Sequence, residues 1–407
     1  MIHYLKRLFP VFLSVTLFSV IVMLCCIRES DKKIPMTPSV PQPAYSLETK
    51  KTHVFHQGEM RGVWVPYFSL SNGNSAMSES EFKEHFDNII SKAKKNNINT
   101  IFVHVRSHCD AVYPSKIFPF SSTFTGSSSA PDYDPLQYMI DSAHKAGIEF
   151  QAWINPYRIL SNGTADNITA DSPCYKWLHD SDDKNNRNII EYDNGVYLNP
   201  SRPEARKLIL DGVRELVSNY DVDGVHLDDY FYMFTESDYD RTDYEEYNGT
   251  VGQSTTPLPI DKWRCANVNI LISGIYAVIK NIDDSTQFGI SPQGNIDNDI
   301  AMGADIYTWC EKYGYIDYIA PQIYVNYEND LLPFDTTVEE WKNLISNKKI
   351  NIYIGLALYK AGSNEDNGTW SNGEDIIKKE IEYTRTANTN GFILYSYDYL
   401  DNLNLQQ

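Results

Sequence analysis

Residues 220–232, YDVDGVHLDDYFY, decide the fold. Val225 and Leu227 alternate with His226 and Asp228, so a strand of period 2 puts His226 and Asp228 on one face. Asp229 follows at the rim and Tyr230 after it. Upstream, SRPEARKLILDGVRELVSNY (201–220) reads as an amphipathic helix opened by a Ser201–Glu204 capping box. A helix feeding an apolar, β-rich run is the repeating unit of a parallel sheet.

The same alternation extends in both directions. Apolar runs at 61–68, 99–106, 149–158, 223–231, 287–295, 315–324, 351–359 and 391–400 read as strands. Helical periods separate them. Phe82, Phe86, Ile89, Ile90 and Ala93 share one face of 79–97, and 134–148 has Asp134 as N-cap, Pro135 at the first position and Gly147 as stop. Further helices are expected at 261–283, 303–313, 337–347 and 373–389. The strands are continuously apolar, as in a parallel sheet buried on both faces. Eight strands with seven intervening helices predict an α/β (β/α)8 TIM barrel with long βα loops and a reduced or missing eighth helix. A doubly wound sheet would want a Gly-rich phosphate turn after its first strand, and none follows 61–68.

The barrel is expected to occupy 59–407. Lys6 and Arg7 precede twenty uncharged residues, 8–27, long enough to cross a bilayer with the N-terminal side in the cytoplasm. Residues 1–28 therefore read as a signal or membrane anchor, and Cys25 and Cys26 raise lipidation as an alternative. Residues 29–58, with Pro35, Pro38, Pro41 and Pro43, read as a flexible linker. This places the barrel at the cell surface, membrane-anchored, or secreted if the segment is cleaved. With 35 Lys and Arg against 54 Asp and Glu, the net charge of −19 argues against nucleic acid as a partner. It also argues against membrane contact beyond the N-terminal segment. Cys109, Cys174, Cys265 and Cys310 are sparse and read as buried free thiols. The acidic run 235–249 reads as solvated surface that also walls the cleft.

In such a barrel the chemistry sits at the C-terminal ends of the strands. Those ends deliver His104 and Arg106; Trp153, Asn155, Tyr157 and Arg158; His226, Asp228, Asp229 and Tyr230; Ser291; Gln322 and Tyr324; and Asp398. Adjacent carboxylates push one pKa upward, which suits a general acid. Asp228 and Asp229 are therefore the candidate catalytic residues, unless Asp229 merely pairs with Arg106 or Arg158. The aromatic residues suit the apolar faces of sugars, although each alone would serve equally in barrel packing. Asn155 and Gln322 suit hydroxyl or acetamido groups. His104 and His108 share a face only in a helix, and here they straddle a strand end. No metal and no cofactor are expected.

The blocks RGVWVPYF, QAWINPYRI, YLNPSRPEARKLILDGVRELV, YDVDGVHLDDYFY, FGISPQGN, YIDYIAPQIYVNYEN and YIGLALYK resemble glycosyl-hydrolase-like family ten over about residues 60–400. The resemblance implies a (β/α)8 barrel that hydrolyses glycosidic bonds in a cell-wall glycan, with peptide-stripped peptidoglycan strands as substrate. The family's acid pair falls on Asp228 and Asp229, and its Asn-Pro-Tyr-Arg block on Asn155 to Arg158. The chain departs from the family pattern at Gln293, Asn295 and Val325. Strand seven offers no carboxylate for a two-Glu mechanism. Two readings of the chemistry stand: a second carboxylate such as Asp398, or the substrate's own 2-acetamido group acting as nucleophile. A non-catalytic glycan-binding module and a metal-dependent deacetylase using His104 and His108 are the alternatives.

Overall fold

A computed structural model of the chain describes residue 53 and residues 58–71, 77–126, 129–233, 238–252 and 255–402. The anchor, and the linker apart from His53 and Gly58, lie outside the described residues. The described residues form one compact unit.

Eight parallel strands close into a barrel. They are β1 (Met60–Val65), β2 (Thr100–Arg106), β3 (Glu149–Ile154), β4 (Gly224–Leu227), β5 (Gln287–Ile290), β6, β7 (Asn351–Leu356) and β8 (Gly391–Leu394). β6 comes in two halves, Tyr318–Ile319 and Gln322–Ile323, both paired to β7 in one register. Pro321 interrupts it because proline has no N–H for the ladder. β1 pairs with β8, with Val63 opposite Leu394, and the ring is complete.

The flanking helices follow the apolar periods. They are α1 (Glu79–Lys95), α2 (Pro135–Lys145), α3 (Pro203–Asn219), α4 (Ile260–Ile282), α5 (Ile306–Glu311), α6 (Phe334–Leu344) and α7 (Glu374–Thr386). On α1 the five predicted face residues are buried, and Ser78 with Glu81 forms a capping box. On α2 the Asp134 side chain caps Gln137, with Pro135 in the first turn. After β8 the described chain continues only as a 3-10 turn, Tyr397–Asn402.

Large side chains fill the barrel, and glycines make their room. A Cβ on Gly289 would lie 2.0 Å from the Tyr318 ring, and one on Gly224 1.9 Å from Gln151. Trp64, Phe102, Trp153, Tyr318, Tyr353 and Ile393 pack in this interior. His226 sits among them. Trp64 donates its indole N–H to His226 Nε2 at 3.2 Å, so the imidazole proton belongs on Nδ1. Nδ1 then donates to the Tyr318 hydroxyl (3.0 Å), which donates to Gln151 (3.3 Å). Burial pushes His226 down to about 3 and keeps it neutral.

Three expectations need correction. The α3 N-cap is Arg202, with no side-chain cap. Ser201 instead donates to Asn199 and to Asp243. The acidic run is not simply solvated. Arg241–Thr250 is a helix, Asp240 is buried against Arg264 (2.6 Å), and Asp243 pairs with Arg187 (3.0 Å) and Arg202 (3.3 Å). The β3–α3 connection was expected as loop. It carries a three-stranded antiparallel sheet of Arg158–Leu160, Ile189–Tyr192 and Gly195–Leu198. The four cysteines are free and buried as expected, with the Cys109 and Cys174 sulfurs 3.5 Å apart.

Candidate active site

A cavity of about 230 Å³ lies at the C-terminal ends of the strands. Asp228 and Asp229 line it together with Trp64, Trp153 and Tyr230. Ser291, Gln322, Tyr324, Tyr359 and Tyr395 complete the wall. Two acids meet here because β4 ends at Leu227, and the next two residues curl over the rim. Among the described residues they are the only carboxylates lining this cavity.

Asp228 is 2% exposed. It accepts from the Trp153 indole N–H at 3.3 Å and from the Tyr230 backbone N–H at 3.5 Å. Loss of hydration, then the neighbouring Asp229, pushes its carboxyl up to about 8. Burial raises Asp229 as well. Gln322 donates to Asp229 at 3.2 Å and to the Ser291 carbonyl at 2.9 Å. The pair therefore retains a proton at neutral pH.

Arg158 opens the antiparallel sheet and reaches back over the site. Its guanidinium lies 4.4 Å from the Tyr230 ring centroid, and its charge opposes the rise of both acids. His104 stacks on Trp153 at 3.8 Å and 10°. Burial, with Arg158 nearby, holds it well below the usual imidazole range. It braces Trp153 as a neutral ring. His226 acts from below, with Nε2 2.9 Å from the Ser291 hydroxyl.

The structure thus brings Asp228, Asp229, Trp153, Tyr230, Ser291, Gln322 and Tyr324 to the cavity, with Arg158, His104 and His226 in contact with its wall. Four further predicted substrate contacts lie outside both that lining and those wall contacts. Arg106 is buried on the outer side of β2, 4.2 Å from the Phe118 ring. A bulge between His104 and Arg106 puts two residues opposite one step of β3, so the period-2 assignment fails there. Tyr157 is fully buried in the outer core. Asn155 is buried with neither amide atom hydrogen-bonded. Asp398 is exposed, held by the Ser69 (2.7 Å) and Ser396 (3.0 Å) hydroxyls. Among the described residues no group of three His, Cys, Asp or Glu side chains is placed to hold a metal ion.

Trp64 and Tyr395 are wall residues that the sequence reading did not assign to the site, and Tyr359, at the end of strand seven, lines the wall as well. Trp64 alternates with the outward Val63 and Val65, a period-2 signal that was available. A larger cavity, about 760 Å³, lies at the opposite end, lined by Glu59, Thr100, Glu149 and Asn351. These residues start their strands or, for Glu59, immediately precede one, the end that serves stability in barrels.

A model of the family described as glycosyl hydrolase-like 10 matches residues 59–372. Glycosyl hydrolase YngK of Bacillus subtilis is 34% identical over 349 residues, covering 79% of this chain and 64% of that protein. Glycosyl hydrolase DigH of Escherichia coli is 32% identical, covering 96% of this chain and 94% of that protein. The PgaB (BpsB) glycoside hydrolase domain from Bordetella bronchiseptica shares the fold. It aligns at TM-score 0.55 and 12% identity over 84% of this chain and 96% of that one. The β-galactosidase of Marinomonas ef1 aligns at 0.54 and 10% identity, over 83% and 54%. The chain belongs to glycosyl hydrolase-like family 10, a membership that classes it among the glycosidases.

Proposed function

We propose that the chain hydrolyses a cell-wall glycan at the cell surface, with peptide-stripped peptidoglycan strands as substrate and residues 8–27 as its membrane anchor. The observation that carries this reading is the pair Asp228–Asp229, side by side in an aromatic cavity whose described lining holds no other carboxylate. Asp398, the candidate second carboxylate, is occupied elsewhere. That favours the substrate's 2-acetamido group as nucleophile.

The steps balance as follows. The acetamido carbonyl oxygen attacks the anomeric carbon while Asp229 accepts a hydrogen bond from the acetamido N–H. The glycosidic C–O bond breaks, and its electron pair leaves on the departing oxygen, which takes the Asp228 proton. Water then attacks the anomeric carbon of the cyclic intermediate and gives a proton to Asp228, while the bond from that carbon to the acetamido oxygen breaks and returns its electron pair to the acetamide. Two inversions leave the configuration retained. Trp153 and the tyrosines offer flat apolar faces to the sugar rings.

The test is to incubate the protein with peptide-free glycan strands and weigh the products. Shorter chains with a new reducing end support the reading. Intact strands that co-sediment with the protein would make it a binding module. Loss of acetyl mass without shortening would make it a deacetylase.

A further inference from the structure

The acid pair does not sit in an isolated pocket. On one side, a cavity of about 450 Å³ is lined by Tyr67, His108, Ser161 and Thr169, from the loops after β1, β2 and β3. On the other side, a cavity of about 260 Å³ is lined by Gln293, Asn295 and Leu332, from the loops after β5 and β6, and by Thr337 on α6. Gln322 and Tyr324 line both this third cavity and the central one. A chain of ring contacts runs between the central and first cavities, from Trp153, which lines the one, to Tyr67, which lines the other. Trp153 lies 3.8 Å from His104, whose ring is 5.5 Å from Tyr67.

We propose that these three cavities form one cleft that takes a glycan chain along its length, with sugar subsites on both sides of the acid pair, so that strands are cut internally. This rests on the glycosidase reading above and specifies its substrate as a polymer engaged mid-chain. The lining chemistry fits. Both flanks combine hydroxyl and amide groups with apolar surface, matching the hydroxylated edge and apolar face of a pyranose. Among the described residues the third cavity is lined by no charged side chain, which suits a neutral sugar. An enzyme that removes terminal sugars needs a wall on one side of the scissile bond. Here one flanking cavity shares Gln322 and Tyr324 with the acid pair's own cavity, and the other lies beyond the Trp153–His104–Tyr67 ring contacts.

The test uses the full-length chain in detergent and peptide-free strands of defined length labelled at the reducing end. Labelled fragments of several lengths should appear together from the earliest times. Labelled or unlabelled sugars leaving one or two units at a time from an end would overturn the proposal while sparing the glycosidase reading. Absence of any cleavage would overturn that reading, and binding then judges the cleft alone. Affinity of the Asp228→Asn chain should rise with strand length. Ser161→Trp and Leu332→Trp, each filling one flanking cavity, should each cost about tenfold in affinity for long strands. Affinity already complete for a strand that fills only the central cavity would overturn the cleft. So would tryptophan variants that bind long strands as well as their parent.

Discussion

The indole N–H of Trp153 points at Asp228 from 3.3 Å, while burial and Asp229 hold the Asp228 carboxyl up at about 8. A donor to a carboxylate favours the charged form, so Trp153 lowers a pKa that its surroundings raise. A general acid must be protonated to work. The account therefore predicts that kcat falls as pH rises through about 8. Trp153→Phe keeps an aromatic face but removes the donor, so its alkaline limb should move to higher pH. A limb that stays in place or moves down in the kcat–pH profile would contradict this arrangement.

The substrate's acetamido group is part of the proposed chemistry. Strands whose 2-amino groups have been de-N-acetylated should resist cleavage by a factor of 10² or more, while Asp229→Asn should lose turnover on ordinary strands by about 10²–10⁴. Rates on the two substrates are compared at equal strand length. Equal rates would place the nucleophile on the protein instead.

Arg106 provides a control on the site's limits. Its guanidinium is buried against Phe118, with Nε and Nη1 lacking hydrogen-bond partners. Arg106→Met should leave KM for glycan strands unchanged. Replacing a buried charge by an apolar side chain of similar volume is neutral or stabilising by about 1–4 kcal/mol, so thermal unfolding should be unchanged or later. A several-fold rise in KM would return Arg106 to the site.

Glu380 on α7 is completely buried, and neither carboxylate oxygen has a hydrogen-bond partner. Burial holds it well above its usual 4.5. Above pH 4.5 the folded state therefore binds more protons at this position than the unfolded state. Stability from this group is complete below that pH and is lost as pH rises toward the folded pKa. Glu380→Met should flatten this decline, with the largest gain in Tm at neutral to alkaline pH. Parallel pH–stability curves for the two proteins would contradict it.

Much of this was legible in the sequence because barrel strands and helices announce themselves by period. The acid pair was legible too, since His226 and Asp228 alternate with Val225 and Leu227 through an unbroken strand. Strand ends were less so. Aromatic residues beyond Leu227 and Leu394 prolong the apolar pattern after the ladder has stopped, so the expected strands overran into the site loops. Arg106 was misplaced because alternation cannot reveal a bulge, which depends on the partner strand. The antiparallel sheet carrying Arg158 was missed because its strands are short and their ladder joins residues about forty apart, Arg158 with Tyr197. Asp398 ends in a 3-10 turn whose serine partners, Ser69 and Ser396, only the fold brings together.

The most direct measurement compares wild type with Asp228→Asn on peptide-free glycan strands, with products read by mass spectrometry and folding checked by thermal unfolding. Removing the acid should cut turnover by about 10²–10⁴ while the variant remains folded and still binds the strands. A folded Asp228→Asn protein that shortens strands at the wild-type rate would contradict the assignment of Asp228 as the acid, and with it the mechanism.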